Sequence, residues 1–419
     1  MNNKKICVIG AGYVGIPLAF AFSKHFDTTV YTHSKEHAEE LQNGYDRTQN
    51  FTAEELKSSQ LKVISDIQTV NSANIYIITV PTPVDDTLKP DLTPIISATS
   101  TVASVLKKGD IVVYESTVFI GCTEELCVPI LEKESHLIYN EEFFCGYSPE
   151  RINPTDKKNT LENVVKIVSG STEQTKQTLV SLYGTIIKAG IYQAPSMKVA
   201  EASKLMENIQ RDVNIALMNE LSALYAKLGI ATHDVIEAAS TKWNFHKYFP
   251  GLVGGHCIGV DPYYILLNAE NEHISMPIVE QARDTNEKVP LRIINEIKAV
   301  LTKRQQSLAG KMVLLLGIAY KENTNDIRNS KSAVVYKLLK ENNAIVDVVD
   351  PYADKQLTKK SYNVDLLDDI PDEKQYDIII VTLAHDSFKK INWKKLKKEE
   401  TLLYDIKKLV PKEEQDFYF

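Results

Sequence analysis

Short runs rich in β-branched residues alternate with helical stretches through the first part of the chain. These runs lie at residues 6–9, 29–31, 75–80, 111–114 and 165–168. Apolar residues at helical spacing follow the first run, and a long polar helix is predicted from Lys35. Such runs separated by helices are typical of βαβ units, whose parallel strands are buried on both faces. The pattern predicts a mostly parallel sheet with helices on its two sides.

The pattern changes at residue 197. Residues 197–228 contain neither Gly nor Pro and space their apolar residues by three and four, which predicts one long helix. A second alternation follows, with apolar runs at 312–316, 345–349 and 378–381. The predicted fold class is α/β, with two Rossmann-like doubly wound domains joined by a long central helical connector. We place the domains at 1–196, 197–305 and 306–419.

A long helix between two domains often builds a subunit interface. We therefore expect a homodimer or a higher homo-oligomer that associates through residues 197–228.

Composition narrows the class of protein. The chain has 419 residues, 43% hydrophobic and 25% charged, which match globular averages, and we find no run of about 18 apolar residues that would cross a membrane. A net charge of −7 argues against a nucleic-acid partner. Met1 leads almost directly into a predicted strand, which leaves no room for a signal peptide, so we expect a cytoplasmic protein. The expected partner is a small molecule.

The five cysteines are an odd number without paired metal-ligand spacing, so neither a disulfide framework nor a metal site is predicted. We interpret Cys122 and Cys127 as packing residues. Cys257 is different, because it lies among four glycines.

Gly10, Gly12 and Gly15 form the sequence GAGYVG between the first strand and the first helix. In that context GxGxxG indicates dinucleotide binding, because the glycines allow close approach of the backbone to a pyrophosphate at a helix N-terminus. NAD enzymes usually place an acid at the end of the second strand, but here the sequence continues through Thr32, Ser34 and Lys35. NAD is the expected cofactor, and NADP stays open because Ser34 and Lys35 suit a 2′-phosphate.

The segment GLVGGHCIGVDPYY at 251–264 resembles the active-site loop of the UDP-glucose/GDP-mannose dehydrogenases. The preceding KWNF at 242–245 is similar to the branch that oxidises UDP-N-acetylglucosamine and UDP-N-acetylgalactosamine at C6. The resemblance spans nearly the whole chain, because further motifs occur in family order: VPTP at 80–83, ESTV at 115–118, YSPERIN at 147–153, KLMEN at 204–208 and KENTNDIRNS at 321–330.

The resemblance implies a four-electron oxidation through Cys257, by way of a thiohemiacetal and a thioester. Lys204 and Asn208 are one helical turn apart and project from one face, and the resemblance assigns them to the oxyanion. Without it, the pair would be interpreted as a solvated helix face. For the water that hydrolyses the thioester, the family offers Glu150, Asp261 and Thr117. Which of Glu150 and Asp261 moves the proton stays open.

The same resemblance implies which residues bind the cofactor and the UDP-sugar. Those expected at the cofactor are Gly10, Gly12, Tyr13, Val14, Gly15, Thr32, Ser34, Lys35, Pro81, Thr82, Thr117 and Arg328. Those expected at the UDP-sugar are Glu150, Arg151, Lys204, Asn208, Gly254, Lys321 and Arg283. The resemblance implies that the C-terminal domain binds the UDP-sugar. A structural alternative is that Arg328 pairs with Asp326 to pin its loop.

The expected substrate is UDP-GlcNAc or UDP-GalNAc, oxidised for a surface polysaccharide such as capsule or lipopolysaccharide O-antigen. Some relatives carry Arg before the glycine-rich loop where this chain has Phe249, with Lys247 two residues earlier, so the sugar stays open. UDP-N-acetylmannosamine and UDP-glucose are alternatives. Two further hypotheses lie outside the nucleotide-sugar 6-dehydrogenases. The protein could be a two-electron β-hydroxyacid dehydrogenase, which needs no thiol, or a catalytically inactive nucleotide-sugar-binding protein.

Overall fold

The computed structural model describes most of the chain and contains two compact units. The described residues are 4–48, 50–70, 72–85, 87–152, 159–371 and 374–411. The first unit consists of Met1–Glu207 and Tyr263–Ile274, and the second of Asn208–Pro262 and Ser275–Phe419.

The first unit contains an eight-stranded sheet in the order β3-β2-β1-β4-β5-β6-β7-β8. All neighbouring strands are parallel except β6 and β7, which are antiparallel. The strands are β1 (Lys5–Ile9), β2 (Asp27–Tyr31), β3 (Lys62–Ile64), β4 (Ile75–Ile78), β5 (Asp110–Tyr114), β6 (Phe143–Tyr147), β7 (Lys166–Gly170) and β8 (Ile191–Gln193).

Helices connect these strands. They are α1 (Gly15–Ser23), α2 (Lys35–Gln42), α3 (Ala53–Ser58), α4 (Thr93–Ala103), α5 (Val128–Ser135) and α6 (Glu173–Tyr183), with 3₁₀ turns at Ile67–Thr69 and Leu161–Asn163 and a π-helical turn at Thr123–Cys127. Helix α2 has only 8 residues and is shorter than the sequence predicts. It ends because Gly44 takes φ 87°, a left-handed conformation that stops a helix.

Four helices make up the middle of the chain: α7 (Met197–Lys227), α8 (Thr232–Ala239), α9 (Asp261–Asn271) and α10 (Pro277–Lys303). The 31-residue α7 confirms the long helix that the sequence predicts. The boundary between the two units falls inside α7.

The second unit contains a five-stranded parallel sheet in the order β11-β10-β9-β12-β13. Its strands are β9 (Met312–Leu316), β10 (Ile345–Val349), β11 (Leu366–Leu367), β12 (Tyr376–Val381) and β13 (Lys397–Asp405). They are joined by α11 (Lys331–Glu341), α12 (Lys355–Tyr362), a 3₁₀ helix (Asp386–Lys390) and α13 (Trp393–Leu396).

Each sheet buries side chains on both faces. In β1, Cys7 belongs to the hydrophobic cluster on one face and Val8 to the cluster on the other. In β9, Val313 and Leu314 divide in the same way. Successive side chains of a strand point to opposite faces, so covering both faces requires the continuous aliphatic runs seen in the sequence. The predicted fold class is therefore confirmed.

No helix in the described part of the chain is both long and apolar enough to cross a membrane. The three-domain division at residues 196 and 305 stays a prediction.

Candidate active site

The glycine motif lies where β1 ends and α1 begins. Gly10 takes φ 111°, and a Cβ on Gly15 would lie 1.8 Å from the Gly10 carbonyl oxygen, so both positions need glycine for the fold itself. A Cβ on Gly12 would meet no atom within 4 Å. Packing therefore does not explain Gly12, whereas a pyrophosphate that approaches the backbone at a helix N-terminus does. The loop fits a dinucleotide.

The residues predicted at the cofactor follow the carboxyl ends of parallel strands. Tyr13 and Val14 precede α1, Pro81 and Thr82 follow β4, and Thr117 follows β5. In doubly wound sheets ligands bind at this edge, next to the switch point where the strand order reverses. That switch point lies here between β1 and β4.

The end of β2 carries no acid. Thr32 is buried, and its hydroxyl accepts a hydrogen bond from Ser34 N at 3.4 Å. Ser34 caps α2, with its hydroxyl accepting from His37 N at 3.2 Å. The Lys35 side chain is 84% exposed. Hydroxyls and one solvated cation therefore stand where NAD enzymes usually carry an acid, and the role of these residues at the ribose stays a prediction.

Glu150 and Lys204 lie together in the first unit. The Lys204 ammonium donates to the Glu150 backbone carbonyl at 2.8 Å, and the Glu150 carboxylate accepts a hydrogen bond from Ile152 N. Burial raises the pKa of Glu150 above its usual range, and the charges of Lys204 and Lys166 oppose that rise. A carboxylate with a raised pKa is a stronger base than a solvated one, which favours proton transfer.

A buried ion pair lies beneath Glu150. Lys166 bonds to the Glu115 carboxylate at 2.6 Å and to the backbone carbonyls of Ser148 and Pro149, while the Tyr183 hydroxyl donates to the same carboxylate. Glu115 is part of the ESTV motif, but Lys166 sits in an apolar strand and gives no sequence signal. The pair fixes the backbone that leads to Glu150.

Arg151, the next residue, points to protein groups. Its guanidinium bonds to Glu207 and to the Val165 carbonyl. Asn153, which ends the YSPERIN motif, lies outside the described residues.

The glycine-rich loop lies in the second unit and packs on the turn that follows β9. A Cβ on Gly254 would lie 2.5 Å from the Asn329 carbonyl oxygen, and one on Gly255 would lie 2.6 Å from the Tyr320 ring. Gly255 also takes φ 81°. No larger residue fits either position, so the loop and the C-terminal motif pack as one structure.

Cys257 differs from the other cysteines in exposure. Cys7, Cys122, Cys127 and Cys145 are completely buried, whereas Cys257 is half-buried. Its backbone carbonyl accepts hydrogen bonds from Val260 N at 3.0 Å and Asp261 N at 2.8 Å, which places it one turn before α9.

Asn208 and Asp261 meet in the second unit. The Asn208 amide donates from Nδ2 to the Asp261 carboxylate at 2.5 Å, and both residues are buried. Asp261 follows the Cys257 loop and Asn208 lies in α7, so the bond ties the predicted oxyanion donor to the nucleophile loop.

Arg328 forms the pair that the sequence offered as a structural alternative. Its guanidinium bonds to both oxygens of Asp326 at 2.6–3.1 Å, and its Nη2 lies 3.3 Å from His256 Nδ1. The side chain is still 46% exposed, so a role at cofactor phosphates stays a prediction. Lys321 follows β9 in the same loop, and its role at the UDP-sugar also stays a prediction.

The predicted role of Arg283 at the UDP-sugar stays a prediction. The side chain is only 2% exposed and pairs with Asp212 at 2.9 Å and Glu287 at 2.8 Å. Packing of α7 against α10 buries it, which a local motif does not reveal.

Comparison with known proteins identifies the family. Models of the UDP-glucose/GDP-mannose dehydrogenase family match three parts of the chain: the NAD binding domain over 4–187, the central domain over 198–288 and the UDP binding domain over 314–412. The UDP-N-acetyl-D-glucosamine 6-dehydrogenases of Pseudomonas aeruginosa and Salmonella typhi are each 44% identical to this chain over 420 residues, covering 99% of each chain. The structure of a UDP-D-ManNAc dehydrogenase from Pyrococcus horikoshii superposes with TM-score 0.88 and 29% identity, covering 97% of this chain and 96% of that one.

The chain belongs to the UDP-glucose/GDP-mannose dehydrogenase family. It is accordingly an oxidoreductase of the nucleotide-sugar dehydrogenase class, with an NAD-binding domain at its N-terminus and a UDP-binding domain at its C-terminus.

Proposed function

We propose that the protein oxidises C6 of a UDP-N-acetylhexosamine, UDP-GlcNAc or UDP-GalNAc, to the uronic acid. The 44% identity to two UDP-N-acetyl-D-glucosamine 6-dehydrogenases over the full length supports an acetamido sugar. UDP-N-acetylmannosamine and UDP-glucose are the alternatives. The observation that carries the mechanism is Cys257, a half-buried thiol in a loop whose glycines are fixed by packing.

When bound, NAD would supply the hydride acceptor that side chains lack, and two NAD molecules would be needed for each sugar. Overall, the CH₂OH group, one water and two oxidised cofactors would give a carboxylate, two reduced cofactors and three protons. Between the two oxidations the Cys257 sulfur adds to the C6 aldehyde as a thiohemiacetal. Loss of the second hydride leaves a thioester, which water cleaves to release the thiol.

Lys204 and Asn208 are assigned to the oxygen on C6, where negative charge develops. An ammonium and an amide hydrogen both donate to an oxyanion. The Asn208 amide is held by Asp261, which fixes the direction of its remaining hydrogen.

The hydrolytic water needs a base, and two carboxyls are candidates. Burial raises the pKa of Glu150, which makes its carboxylate a stronger base. Asp261 is engaged with Asn208, which suits a positioning role better. We therefore assign the proton transfer to Glu150, with Thr117 and the Asp261 carboxyl orienting their neighbours.

NADP is a second candidate cofactor. Thr32, which is buried, stands after β2 where a carboxylate would repel a 2′-phosphate. Three residues later, the Lys35 side chain is exposed to solvent and could pair with that phosphate. If NADP is used, Lys35→Ala will lower kcat/KM for NADP and leave that for NAD within about twofold.

We further propose a cytoplasmic homodimer or higher homo-oligomer that supplies uronic acids for capsule or O-antigen. Leu217 and Leu224 lie two turns apart on α7 and are about half exposed, which supports association through this helix. Light scattering that shows only a monomer at micromolar concentration would exclude it.

The test of the reaction is the yield of reduced cofactor per sugar. UDP-GlcNAc, UDP-GalNAc, UDP-ManNAc and UDP-glucose are each supplied in limiting amount with NAD and with NADP. Two equivalents from an acetamido sugar identify the four-electron reaction, its substrate and its cofactor. One equivalent indicates a simple alcohol dehydrogenase, and none with any sugar indicates a protein that only binds.

Two variants separate the thiol mechanism from thiol-independent chemistry. Cys257→Ser should lose steady-state turnover, because a serine hydroxyl is a far weaker nucleophile than a thiolate. Cys127→Ala, which removes a buried thiol, should keep the yield of two. A Cys257→Ser enzyme as active as the wild type would refute the mechanism.

A further inference from the structure

Three hydrogen bonds hold the Arg283 guanidinium inside the second unit. Its Nη1 donates to Asp212 at 2.9 Å and to the backbone carbonyl of Ile258 at 3.2 Å, and its Nη2 donates to Glu287 at 2.8 Å. Ile258 directly follows Cys257. A desolvated guanidinium with these partners has a fixed place, since moving it would leave buried charge uncompensated.

Asp212 is in turn held from both sides. Asn286 donates to its carboxylate at 2.7 Å and to its backbone carbonyl at 3.0 Å. Asn286 is completely buried, as is Asp212. Arg283 and Asn286 are three residues apart on α10 and lie on one face of that helix, from which both donate hydrogen bonds to Asp212 of α7.

The same network reaches the start of the glycine-rich loop. Asn219 donates to Asn286 at 2.8 Å and to the Gly251 carbonyl at 3.0 Å, and its own carbonyl oxygen Oδ1 accepts from Gly251 N at 2.8 Å. The polar network therefore holds the backbone at Gly251, six residues before Cys257, and at Ile258, one residue after it.

A separate contact holds the middle of the loop. Asn329 donates from Nδ2 to the Gly255 carbonyl at 3.0 Å, and Gly255 N donates to the Asn329 backbone carbonyl at 3.3 Å. With the backbone fixed at three points around it, the Cys257 side chain has little freedom beyond its own rotamer.

We propose that Arg283, held by Asp212, is a positioning residue that fixes the Ile258 carbonyl and so sets the place of the Cys257 thiol. This inference rests on the proposed role of Cys257. It gives Arg283 a role in kcat, whereas a sugar contact would give it a role in substrate binding.

The test compares Arg283→Met with Arg283→Lys, Asp212→Asn and a control, Arg292→Met. Arg292 lies on the same helix and bonds to Glu296, to the Asn219 backbone carbonyl and to Ser222 Oγ. None of these described contacts is with a loop residue or with the Asn219 side chain, which is the group that holds Gly251. Its loss should weaken the packing of α7 against α10 without removing a bond to Ile258.

We expect Arg283→Met to lower kcat by about 100-fold, the effect of roughly 1 Å of misplacement, while KM for the UDP-sugar stays within about threefold. Arg283→Lys should recover part of the loss, because an ammonium retains one of the bonds. Asp212→Asn should lower kcat by releasing Arg283. The double variant Arg283→Met with Asp212→Asn should therefore have a kcat no lower than that of Arg283→Met alone.

The second readout does not depend on the sugar or on turnover. The rate constant for alkylation of Cys257 by iodoacetamide, followed by mass spectrometry of its peptide, should change severalfold in Arg283→Met and not in Arg292→Met. If the Cys257→Ser variant proves active, the proposed reaction is wrong. The alkylation rate of Cys257 in Arg283→Met still decides whether Arg283 positions the thiol.

Two outcomes would overturn the inference. Equal losses of kcat in Arg283→Met and Arg292→Met would show that the polar network only stabilises the packing of α7 against α10. A large rise in KM with unchanged kcat and alkylation would place Arg283 at the sugar after all.

Discussion

The side-chain amide of Asn208 donates a hydrogen bond to the carboxylate of Asp261 at 2.5 Å, and both side chains are buried. Two residues that the sequence predicts as separate catalytic groups thus form one pair. The carboxylate orients the amide, and the amide satisfies one of the two oxygens of the buried carboxylate. Changing either residue therefore alters the other.

Asn208→Ala should lower kcat by roughly 10²–10³-fold, equivalent to about 2.7–4 kcal/mol, because it removes an oxyanion donor. Stopped-flow measurement of both hydride transfers will show which step is slowed. Asn214→Ala on the same helix is the matched control, since Asn214 bonds only to the Gln210 carbonyl among its described contacts. A similar loss in both variants would contradict the assignment.

Native protein should react with one equivalent of iodoacetamide, and unfolded protein with five, one for each cysteine. Burial raises the pKa of Cys7 to about 12, and it also raises the pKa of Cys145, so these thiols stay protonated and inaccessible. Peptide mapping should locate the native label at Cys257. Rapid labelling of Cys122 or Cys127 instead would show that the buried π-helical turn at Thr123–Cys127 opens readily.

Gly12→Ala and Gly15→Ala should separate binding from folding. Alanine at position 12 meets no protein atom within 4 Å, so we expect the melting temperature to stay near that of the wild type while NAD affinity falls at least tenfold. Alanine at position 15 would collide with the Gly10 carbonyl at 1.8 Å, so this variant should melt far lower or fail to fold. Calorimetric titration with NAD and thermal unfolding test both. Unchanged NAD affinity in Gly12→Ala would contradict the cofactor assignment.

Glu201 should make stability depend on pH. It accepts hydrogen bonds from Gly121 N, Thr123 N and Thr123 Oγ1 at 2.6–3.1 Å, yet burial raises its pKa from 4.5 to about 7. Between those values the folded protein binds more protons than the unfolded chain, so this group's contribution to unfolding free energy is greatest below pH 4.5 and falls as pH rises to 7. The fall is roughly 3 kcal/mol.

Glu201→Gln should remove that dependence. Urea unfolding at pH 5 and pH 7.5 should show a smaller difference between the two pH values in the variant than in the wild type. The exposed Glu54→Gln serves as control and should follow the wild type. A variant with an unchanged pH difference would mean that another group titrates.

Much of the fold follows from local sequence. The aliphatic runs around Ile6 and Met312, and the glycine spacing from Gly10 to Gly15, specify strands and turns because backbone conformation and burial on two faces constrain residue type directly. The family motifs add the nucleophile loop, because their order along the chain is preserved. The length of α2 was predicted wrongly, since Gly44 ends it early.

The contacts between distant residues were decided only by tertiary structure. Arg283 has the same side chain whether it faces a sugar or an aspartate, and only the packing of α7 against α10 brings Asp212 to it. The bond from Asn208 to Asp261 and the pair of Lys166 with Glu115 likewise join residues some fifty positions apart. A sequence specifies which groups are present, whereas their partners, burial and pKa values depend on which elements pack together, and that depends on the whole chain.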